Sequence, residues 1–371
     1  MKYVDEFRDG ELARRLSVAI HAAVHPERQY RFMEFCGGHT HAISRYGIAE
    51  LLPPNIRMIH GPGCPVCVLP IGRIDQAIQL ALNHGVILCT YGDCMRVPAS
   101  NRLSLLKAKA QKADVRMVYS ASDAVKIAQD NPDREVVFLA IGFETTTPPT
   151  ALAIQQAQRL GLSNFSVLCN HVLTPPAIQH ILQTPVGASP IELDGFIGPA
   201  HVSTIIGSQP YEVFAREYHK PVVIAGFEPL DVMQAILMLV RQVNEGRSDT
   251  ENEFTRAVTR EGNRKAQALV AEVFELRQTF EWRGLGEMPL SALRLSSRYQ
   301  AFDAEQKFGL AYVPVPDNKA CECGAILQGI KRPQECKIFG TVCTPENPMG
   351  SCMVSSEGAC AAHYIYGRFR E

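Results

Sequence analysis

The sequence predicts an α/β protein with parallel sheets, and three observations lead to this prediction. Apolar runs of strand length alternate along the chain with segments whose apolar residues recur at helical spacing. Polar residues, glycine or proline follow most of the apolar runs directly, as at the carboxyl ends of parallel strands where ligands bind. From Pro314 onward this alternation stops, and cysteine, proline and glycine accumulate instead. We therefore expect two similar parallel-sheet (Rossmann-like) domains and a third, largely helical or irregular domain.

The first part of the chain alternates between expected helices and strands. Strands are expected in the runs RQYRFMEF, IRMIHGP, GVILCT and VRMVYS. Helices are expected at 12–23, 41–52, 71–83 and 104–112. The second of these helices must end before Pro53-Pro54, because a residue that precedes proline avoids the helical conformation.

The same alternation continues up to about residue 276. Strands are expected in EVVFLAIG, FSVLCN, LDGFIG and KPVVIAG, and helices from 122 on, at 150–160, at 230–244 and at 266–276. Either Ser122 or Asp123 could cap the first of these helices. No strict sequence repeat is visible, although the strings VILCTYGDCMRVP and VVFLAIGFETTTPP could mark two similar α/β halves. We expect domains at 25–118 and 119–225, with the third domain formed by 1–24 and 226–371.

Composition argues against several classes of partner. The 371-residue chain carries 37 Lys and Arg against 38 Asp and Glu, without a long basic run, which disfavours nucleic acid or an anionic membrane surface as the main partner. The opening MKYVDEFRDG lacks the regions of a signal peptide, and the most apolar later stretch, Val232–Val240, is too short to span a bilayer. We therefore expect a cytoplasmic protein.

Twelve cysteines in a long chain without an export signal point to metal binding or redox work rather than to structural disulfides. Three of them, Cys89, Cys94 and Cys169, lie in or beside apolar runs, where free cysteine behaves as a small buried hydrophobe. We expect these three thiols to serve packing.

The stretch from residue 35 to residue 67 has the composition of a functional site. It begins FCGGHTH and ends HGPGCPVC, so Cys36 and the pair Cys64/Cys67 are expected on two loops shaped by glycine and proline. Thiolate and imidazole suit iron, copper or zinc, and a C-x2-C pair can also close reversibly into a disulfide. Cys36 could instead be a nucleophile activated by His39 or His41, or a buried thiol at a tight turn.

The last 51 residues hold half of the cysteines. These are Cys321, Cys323, Cys336, Cys343, Cys352 and Cys360. Their spacing matches neither ferredoxin pattern and lacks the paired C-x2-C knuckles of structural zinc sites, so an iron–sulfur cluster, zinc and unrelated thiols all stay open. The Thr-rich loop 144–147 could bind a phosphate or simply cap a helix, and no glycine-rich nucleotide motif occurs.

Seven strings spread over nearly the whole chain give it a family resemblance. FCGGHTH, HGPGCPVCVLP, TYGDCMRVP, IGFETTTP, AGFEPLD, EWRGLG and CMVSSEGACAA together resemble the hydrogenase maturation factor HypD family. The resemblance implies a cytoplasmic assembly protein with two similar α/β domains and a third that carries a [4Fe-4S] cluster. It also implies a scaffold on which, with the small partner HypC, an iron gains its cyanide and carbonyl ligands. HypE would supply cyanide transiently, and the finished Fe(CN)2CO unit would pass to a [NiFe]-hydrogenase large subunit. Whether the complex with HypC hydrolyses ATP stays open.

The same resemblance implies roles for individual residues. The iron-site thiol is Cys36, with Cys64 and Cys67 nearby as a thiol pair and with His39 and Glu357 as supporting groups. The implied cluster ligands are Cys323, Cys336, Cys343 and Cys360, which leaves Cys321 and Cys352 as a redox-active disulfide pair. Electrons would then run from the cluster through the Cys321/Cys352 pair and the Cys64/Cys67 pair to the iron.

Two other classes of function are compatible with the residues. One is a general thiol–disulfide oxidoreductase that uses Cys64 and Cys67. The other is a zinc-stabilised binding protein without electron transfer. Iron and sulfide in anaerobically purified protein would favour the cluster over both.

Overall fold

The structure is a computed structural model that describes residues 4–183 and 192–367. The strands are β1 (Tyr30–Glu34), β2 (Ile56–His60), β3 (Ile87–Thr90), β4 (Val115–Met117), β5 (Val136–Gly142), β6 (Phe165–His171), β7 (Gly195–Gly198), β8 (Val222–Ile224), β9 (Thr250–Asn252), β10 (Phe274–Leu276), β11 (Thr279–Trp282), β12 (Gly286–Pro289) and β13 (Leu293–Leu295). The helices are α1 (Gly10–Ala23), α2 (Gly37–Tyr46), α3 (Ile48–Leu51), α4 (Pro65–Val68), α5 (Ile71–Asn83), α6 (Leu105–Ala110), α7 (Ala121–Asp130), α8 (Thr147–Arg159), α9 (Thr174–Leu182), α10 (Ala200–Ile206), α11 (Glu212–Tyr218), α12 (Pro229–Asn244), α13 (Arg264–Val273), α14 (Ala304–Lys307), α15 (Cys323–Leu327) and α16 (Ala359–Ala362).

Two parallel sheets organise the α/β part of the molecule, as the sequence predicts. The first sheet has the strand order β2-β1-β7-β8-β9, and the second has the order β4-β3-β5-β6. Every strand pair within these two sheets is parallel. All residues of β5 and β6 are buried, because helices or loops cover both faces of such a sheet.

The membership of the sheets differs from the predicted domain ranges and corrects them. The boundary at 118/119 falls inside the second sheet, between β4 and β5. The first sheet takes strands from both predicted α/β ranges and adds β9 from the range assigned to the third domain. The two similar strings also do not mark separate halves, since their strands, β3 and β5, are neighbours in one sheet. Periodicity identifies a strand but does not identify its partner, so chain order misplaced these boundaries.

Helix bounds differ from the predictions where a cap or a glycine intervenes. The helix expected at 41–52 begins at Gly37 and breaks at Gly47, whose φ of 63° leaves the helical region, into α2 and α3. The helix expected from residue 122 begins one residue earlier, with Ser120 as its cap in a reciprocal pair with Asp123. The helix expected at 266–276 ends at Val273 and continues directly as β10.

The segment after α13 forms small antiparallel pairs. Strand β10 pairs with β13, and β11 pairs with β12. Trp282 is fully buried at the end of β11, and its indole Nε1 donates to the hydroxyl of Ser291 at 3.0 Å. These pairs lie between the second sheet and the cysteine-rich segment in the chain.

The cysteine-rich segment shares a hydrophobic core with the loops that follow β1 and β2. One continuous cluster of buried residues includes Met33, Val66 and Cys67 together with Cys352 and Cys360. The three thiols expected to serve packing are buried as predicted, with exposed fractions of 0% or 1% (Cys89, Cys94 and Cys169). Among the helices of the described residues, none combines the length and apolarity needed to cross a bilayer.

Candidate metal and thiol site

Cys36 lies at the point where the strand order of the first sheet reverses. It follows β1 directly, and its Sγ accepts hydrogen bonds from the backbone N–H groups of Gly38 and His201. His201 follows β7. Strands β2 and β7 lie on opposite sides of β1, and the crevice beyond such a reversal is where open α/β sheets bind ligands.

The loop after β1 and the loop after β2 are joined through their backbones. Gly37 N donates to Gly63 O at 3.0 Å, and Gly61 N donates to Glu34 O at 2.9 Å. A Cβ atom added at Gly63 would lie 2.5 Å from the backbone nitrogen of Cys36, so only glycine permits this approach. The glycines of the HGPGCPVC string therefore hold the Cys36 loop and the C-x2-C loop together.

Glu34 is a site residue that the sequence reasoning missed. Its side chain is fully buried beneath the Cys36 loop. One carboxylate oxygen accepts from the N–H of Cys36 at 2.9 Å, and the other accepts from the hydroxyl of Thr40 and lies 2.8 Å from Nδ1 of His60. The available signal was a charged residue at the end of the apolar run YRFMEF, a position that only a satisfied or functional carboxylate occupies.

His39 is anchored by the loop that follows β8. Its Nε2 donates to the carbonyl oxygens of Ala225 at 3.0 Å and Gly226 at 2.9 Å, which assigns the ring proton to that nitrogen. Burial lowers the pKa of His39, so the ring is neutral. Its Nδ1 is buried without a hydrogen-bond partner in the described part of the chain. This neutral ring therefore keeps one unused acceptor nitrogen near the Cys36 loop.

Glu357 comes from the far end of the chain and packs against the same loop. A Cβ atom added at Gly37 would lie 2.4 Å from Cβ of Glu357. Burial raises the pKa of Glu357, and the negative charges of Asp93 and Glu34 raise it further. The resemblance-based placement of Glu357 beside Cys36 thus agrees with the geometry, although its chemical role stays a prediction.

The Cys36 thiol is protonated in the absence of a cation. Burial raises its pKa to about 12, with a further contribution from the carboxylate of Glu357. A buried cation would reverse this effect, because a positive charge favours the thiolate. The electrostatics of the pocket therefore suit a bound metal ion better than a free thiolate nucleophile.

The C-x2-C pair opens the short helix α4. Cys64 precedes the helix, and its Sγ accepts from the N–H of Cys67 at 3.3 Å. The Cys67 thiol is in hydrogen-bonding contact with Cys64 and also with Cys352. Ser351 strengthens this junction, since its hydroxyl donates to the carbonyl oxygen of Cys67 at 2.7 Å. The thiol pair thus contacts both the neighbouring loop and the cysteine-rich segment.

Cys352 occupies the centre of the carboxy-terminal thiols. It is in hydrogen-bonding contact with Cys323, Cys360 and Cys67, and these contacts lower its pKa. The thiol contact of Cys321 is with Cys323, and it raises the pKa of Cys321. All twelve cysteines are free thiols in the structure. The geometry therefore places Cys352 among thiols other than its expected disulfide partner.

The remaining two expected cluster ligands, Cys336 and Cys343, make other contacts. Cys343 accepts a hydrogen bond at its Sγ from Met349 N at 3.4 Å. Cys336 is in hydrogen-bonding contact with Glu322. Within the described residues, no group of three or more His, Cys, Asp or Glu side chains has the arrangement of a metal site. The donor type, several buried thiols around Cys352, nevertheless fits an iron–sulfur cluster.

The Thr-rich loop forms hydrogen bonds to its own backbone and to α9. The hydroxyls of Thr146 and Thr147 both donate to the carbonyl oxygen of Phe143 at 3.1 Å. Glu144 accepts from the N–H and the hydroxyl of Thr174, at 2.8 and 3.1 Å. Thr146, which precedes α8, makes no side-chain capping bond, so both interpretations that the sequence left open stay predictions.

Fold and site together define an α/β protein with a buried thiol centre at a sheet reversal. The HypD family model, described as "Hydrogenase formation hypA family", matches residues 11–367. The hydrogenase maturation factor HypD of Cupriavidus necator is 71% identical over 100% of this chain and 98% of its own length. Its counterparts from Azotobacter vinelandii (68%; 100% and 98%) and Escherichia coli K12 (47%; 99% and 98%) are also similar over their full lengths. The chain belongs to the HypD family, which confirms the resemblance found in the sequence.

Proposed function

We propose that this chain acts in [NiFe]-hydrogenase maturation as the scaffold that, with HypC, holds an iron while cyanide and carbonyl ligands are attached to it. The observation that carries the proposal is the buried Cys36 thiol at the sheet reversal, packed against the loop of Cys64 and Cys67. The similar proteins named above are hydrogenase maturation factors, which supports the same role.

The chemistry of the substrate explains why thiols would hold it. Cyanide and carbon monoxide are strong-field ligands of low-spin iron, and thiolates donate the electron density that back-bonding to them requires. The buried carboxylates near Cys36 offset the positive charge of an iron ion, and the same ion would stabilise the Cys36 thiolate. The neutral ring of His39 supplies a further acceptor in this region.

The thiol contacts support a redox role for the C-x2-C pair. Reductive attachment of cyanide consumes electrons, and closing Cys64 and Cys67 into a disulfide releases two electrons and two protons. A [4Fe-4S] cluster, when bound by Cys323, Cys336, Cys343 and Cys360, would supply electrons singly. Cys352 contacts both Cys67 and Cys323, so we propose that it connects the two groups directly. The pairing of Cys321 with Cys352 remains a prediction.

The remaining parts of the proposal concern partners and location. HypC would bind stably, HypE would donate cyanide transiently, and a hydrogenase large subunit would receive the finished Fe(CN)2CO unit. We also propose a cytoplasmic location, in keeping with twelve cysteines whose number and placement point to metal or redox chemistry.

The test is the variant Cys36→Ala, purified anaerobically in complex with HypC. We expect normal folding and an unchanged iron–sulfur absorbance, together with loss of the additional iron and of the infrared bands of cyanide and carbonyl. Cys89→Ala is the matched control, because it also removes a buried thiol but lies in β3 of the second sheet. Full iron loading and intact bands in Cys36→Ala would place the iron elsewhere. Unchanged cyanide loading in Cys64→Ala and Cys67→Ala would rule out the thiol route.

A further inference from the structure

A cavity of about 620 Å³ lies apart from the Cys36 crevice. One wall is the segment 96–107, which follows β3, and the other is formed by residues 342–349 of the cysteine-rich segment. Its size falls within the range of small-molecule sites in proteins. The charges around it are uneven, since one carboxylate, Glu346, is accompanied by several cations: Arg96, Arg102, Lys107 and Arg283.

Arg283 shows that this charge is built into the fold. It lines the cavity and is only 2% exposed. Its Nε lies 2.6 Å from Oδ1 of Asp317, in an ion pair without the angle of a hydrogen bond. Its Nη1 is buried and has no hydrogen-bond partner among the described residues. A buried guanidinium N–H without an acceptor is costly, so an anion bound beside Arg283 would lower that cost.

The cavity wall formed by residues 96–107 contains two residues with left-handed backbone conformations. Asn101 and Arg102 have φ values of 55° and 59°, in the left-handed region that side chains other than glycine rarely adopt. Strained backbone of this kind is concentrated at ligand sites. The guanidinium of Arg96 donates to the carbonyl oxygens of Pro345 at 3.2 Å and Val354 at 3.0 Å, which connects the two walls.

We propose that this cavity binds the phosphate groups of a small molecule. A phosphate group offers several acceptor oxygens and up to two negative charges, which matches a guanidinium with an unused N–H beside further cations. The sequence has no glycine-rich phosphate loop, so side chains carry the recognition. The bound ligand would also steady the loop 342–349, whose Met349 N–H donates to Cys343. The site is independent of iron binding at Cys36.

Two lysines of one helix provide a matched test. Lys107 and Lys109 both lie on α6, but only Lys107 lines the cavity. Inorganic pyrophosphate is titrated calorimetrically into the full-length protein, purified anaerobically, at low salt. We expect one binding site, weakened about tenfold by Lys107→Gln through loss of one charge-assisted contact and unchanged by Lys109→Gln.

Arg102→Gln is the second variant, since this exposed side chain can be changed without disturbing the core, and it too is expected to weaken binding. The proposal is overturned if pyrophosphate does not bind, or if Lys107→Gln and Lys109→Gln bind it equally well. Citrate, a polyanion without phosphate, is expected to bind much more weakly. Citrate binding as tight as that of pyrophosphate would show that the cavity recognises charge alone and would overturn the assignment to phosphate.

Discussion

Replacing Glu34 tests whether a buried carboxylate shapes the Cys36 loop. In Glu34→Ala, the N–H of Cys36, the hydroxyl of Thr40 and the ring of His60 all lose their acceptor inside the protein. Removing one member of a buried charged network costs about 3–5 kcal/mol. We therefore expect the free energy of unfolding to fall by that amount.

Glu34→Gln should lower the free energy of unfolding by less than Glu34→Ala does. The amide retains one oxygen, whereas the carboxylate uses one oxygen for Cys36 and the other for Thr40 and His60. Whichever way the amide turns, its NH2 group faces a donor, so one charge-assisted contact is lost at a cost of about 1.5–3 kcal/mol. Thr40 can reorient its hydroxyl, which favours the orientation that preserves the contact with Cys36.

Urea unfolding followed by tryptophan fluorescence measures both variants, because the single tryptophan, Trp282, is fully buried. Alkylation of Cys36, quantified by peptide mass spectrometry, reports on its loop and should accelerate more in Glu34→Ala than in Glu34→Gln. Glu212→Gln is the control, since it disrupts an exposed ion pair with Arg260 worth at most about 1 kcal/mol. If Glu34→Ala were as stable as this control, with unchanged alkylation, the carboxylate would not hold the loop.

Two further predictions follow from the packing and the electrostatics. Gly63→Ala should destabilise the protein by about 1–3 kcal/mol and lower iron loading, because the new Cβ meets the backbone of Cys36. Gly10→Ala is the control, since its new Cβ would make only an ordinary contact with the guanidinium of Arg14 at 3.9 Å, and equal urea midpoints for the two variants would contradict the prediction. Burial raises the pKa of Glu144 to about 7, so its contribution to stability is lost as pH rises towards that value. Between about pH 5 and about pH 8, this loss lowers the free energy of unfolding by at most about 3 kcal/mol. Glu144→Gln should therefore reduce the change in urea midpoint over that range. An unchanged pH dependence in the variant would refute the raised pKa of Glu144.

The sequence was sufficient to predict the strands and the loops that carry the first three thiols. Cys36 follows β1 directly, and the segment after β2 carries Cys64 and Cys67 at the start of the short helix α4, next to the glycines and prolines that indicated a loop. The order of strands was beyond this reasoning, because alternating apolar runs show that a strand is buried but not which strand lies beside it. The predicted domain boundaries failed for that reason.

Glu34 and Cys352 show what linear reasoning overlooks at a site. Glu34 looked like one polar residue at the end of an apolar run, and only the fold brings its three donors around it. The contact of Cys352 with Cys67 joins distant parts of the chain and agrees with the order of thiol pairs that the resemblance implied, whereas the spacing of the cysteines alone did not indicate it. Cysteine spacing constrains local loops and carries no information about such contacts.

In the chain, all four strands of the second sheet lie between β2 and β7 of the first sheet, and this order determines when the Cys36 crevice can form during synthesis. The ribosome releases β1 and β2 first, then the whole second sheet, and only afterwards β7, whose following residue His201 hydrogen-bonds to Cys36. Cys352 and Glu357 emerge later still. Domains generally fold as units during synthesis, so a nascent chain cannot enclose Cys36 until β7 and the segment with Glu357 have been translated. The crevice can therefore form only after these later segments have left the ribosome, and a ligand can be enclosed beside Cys36 only from that point on.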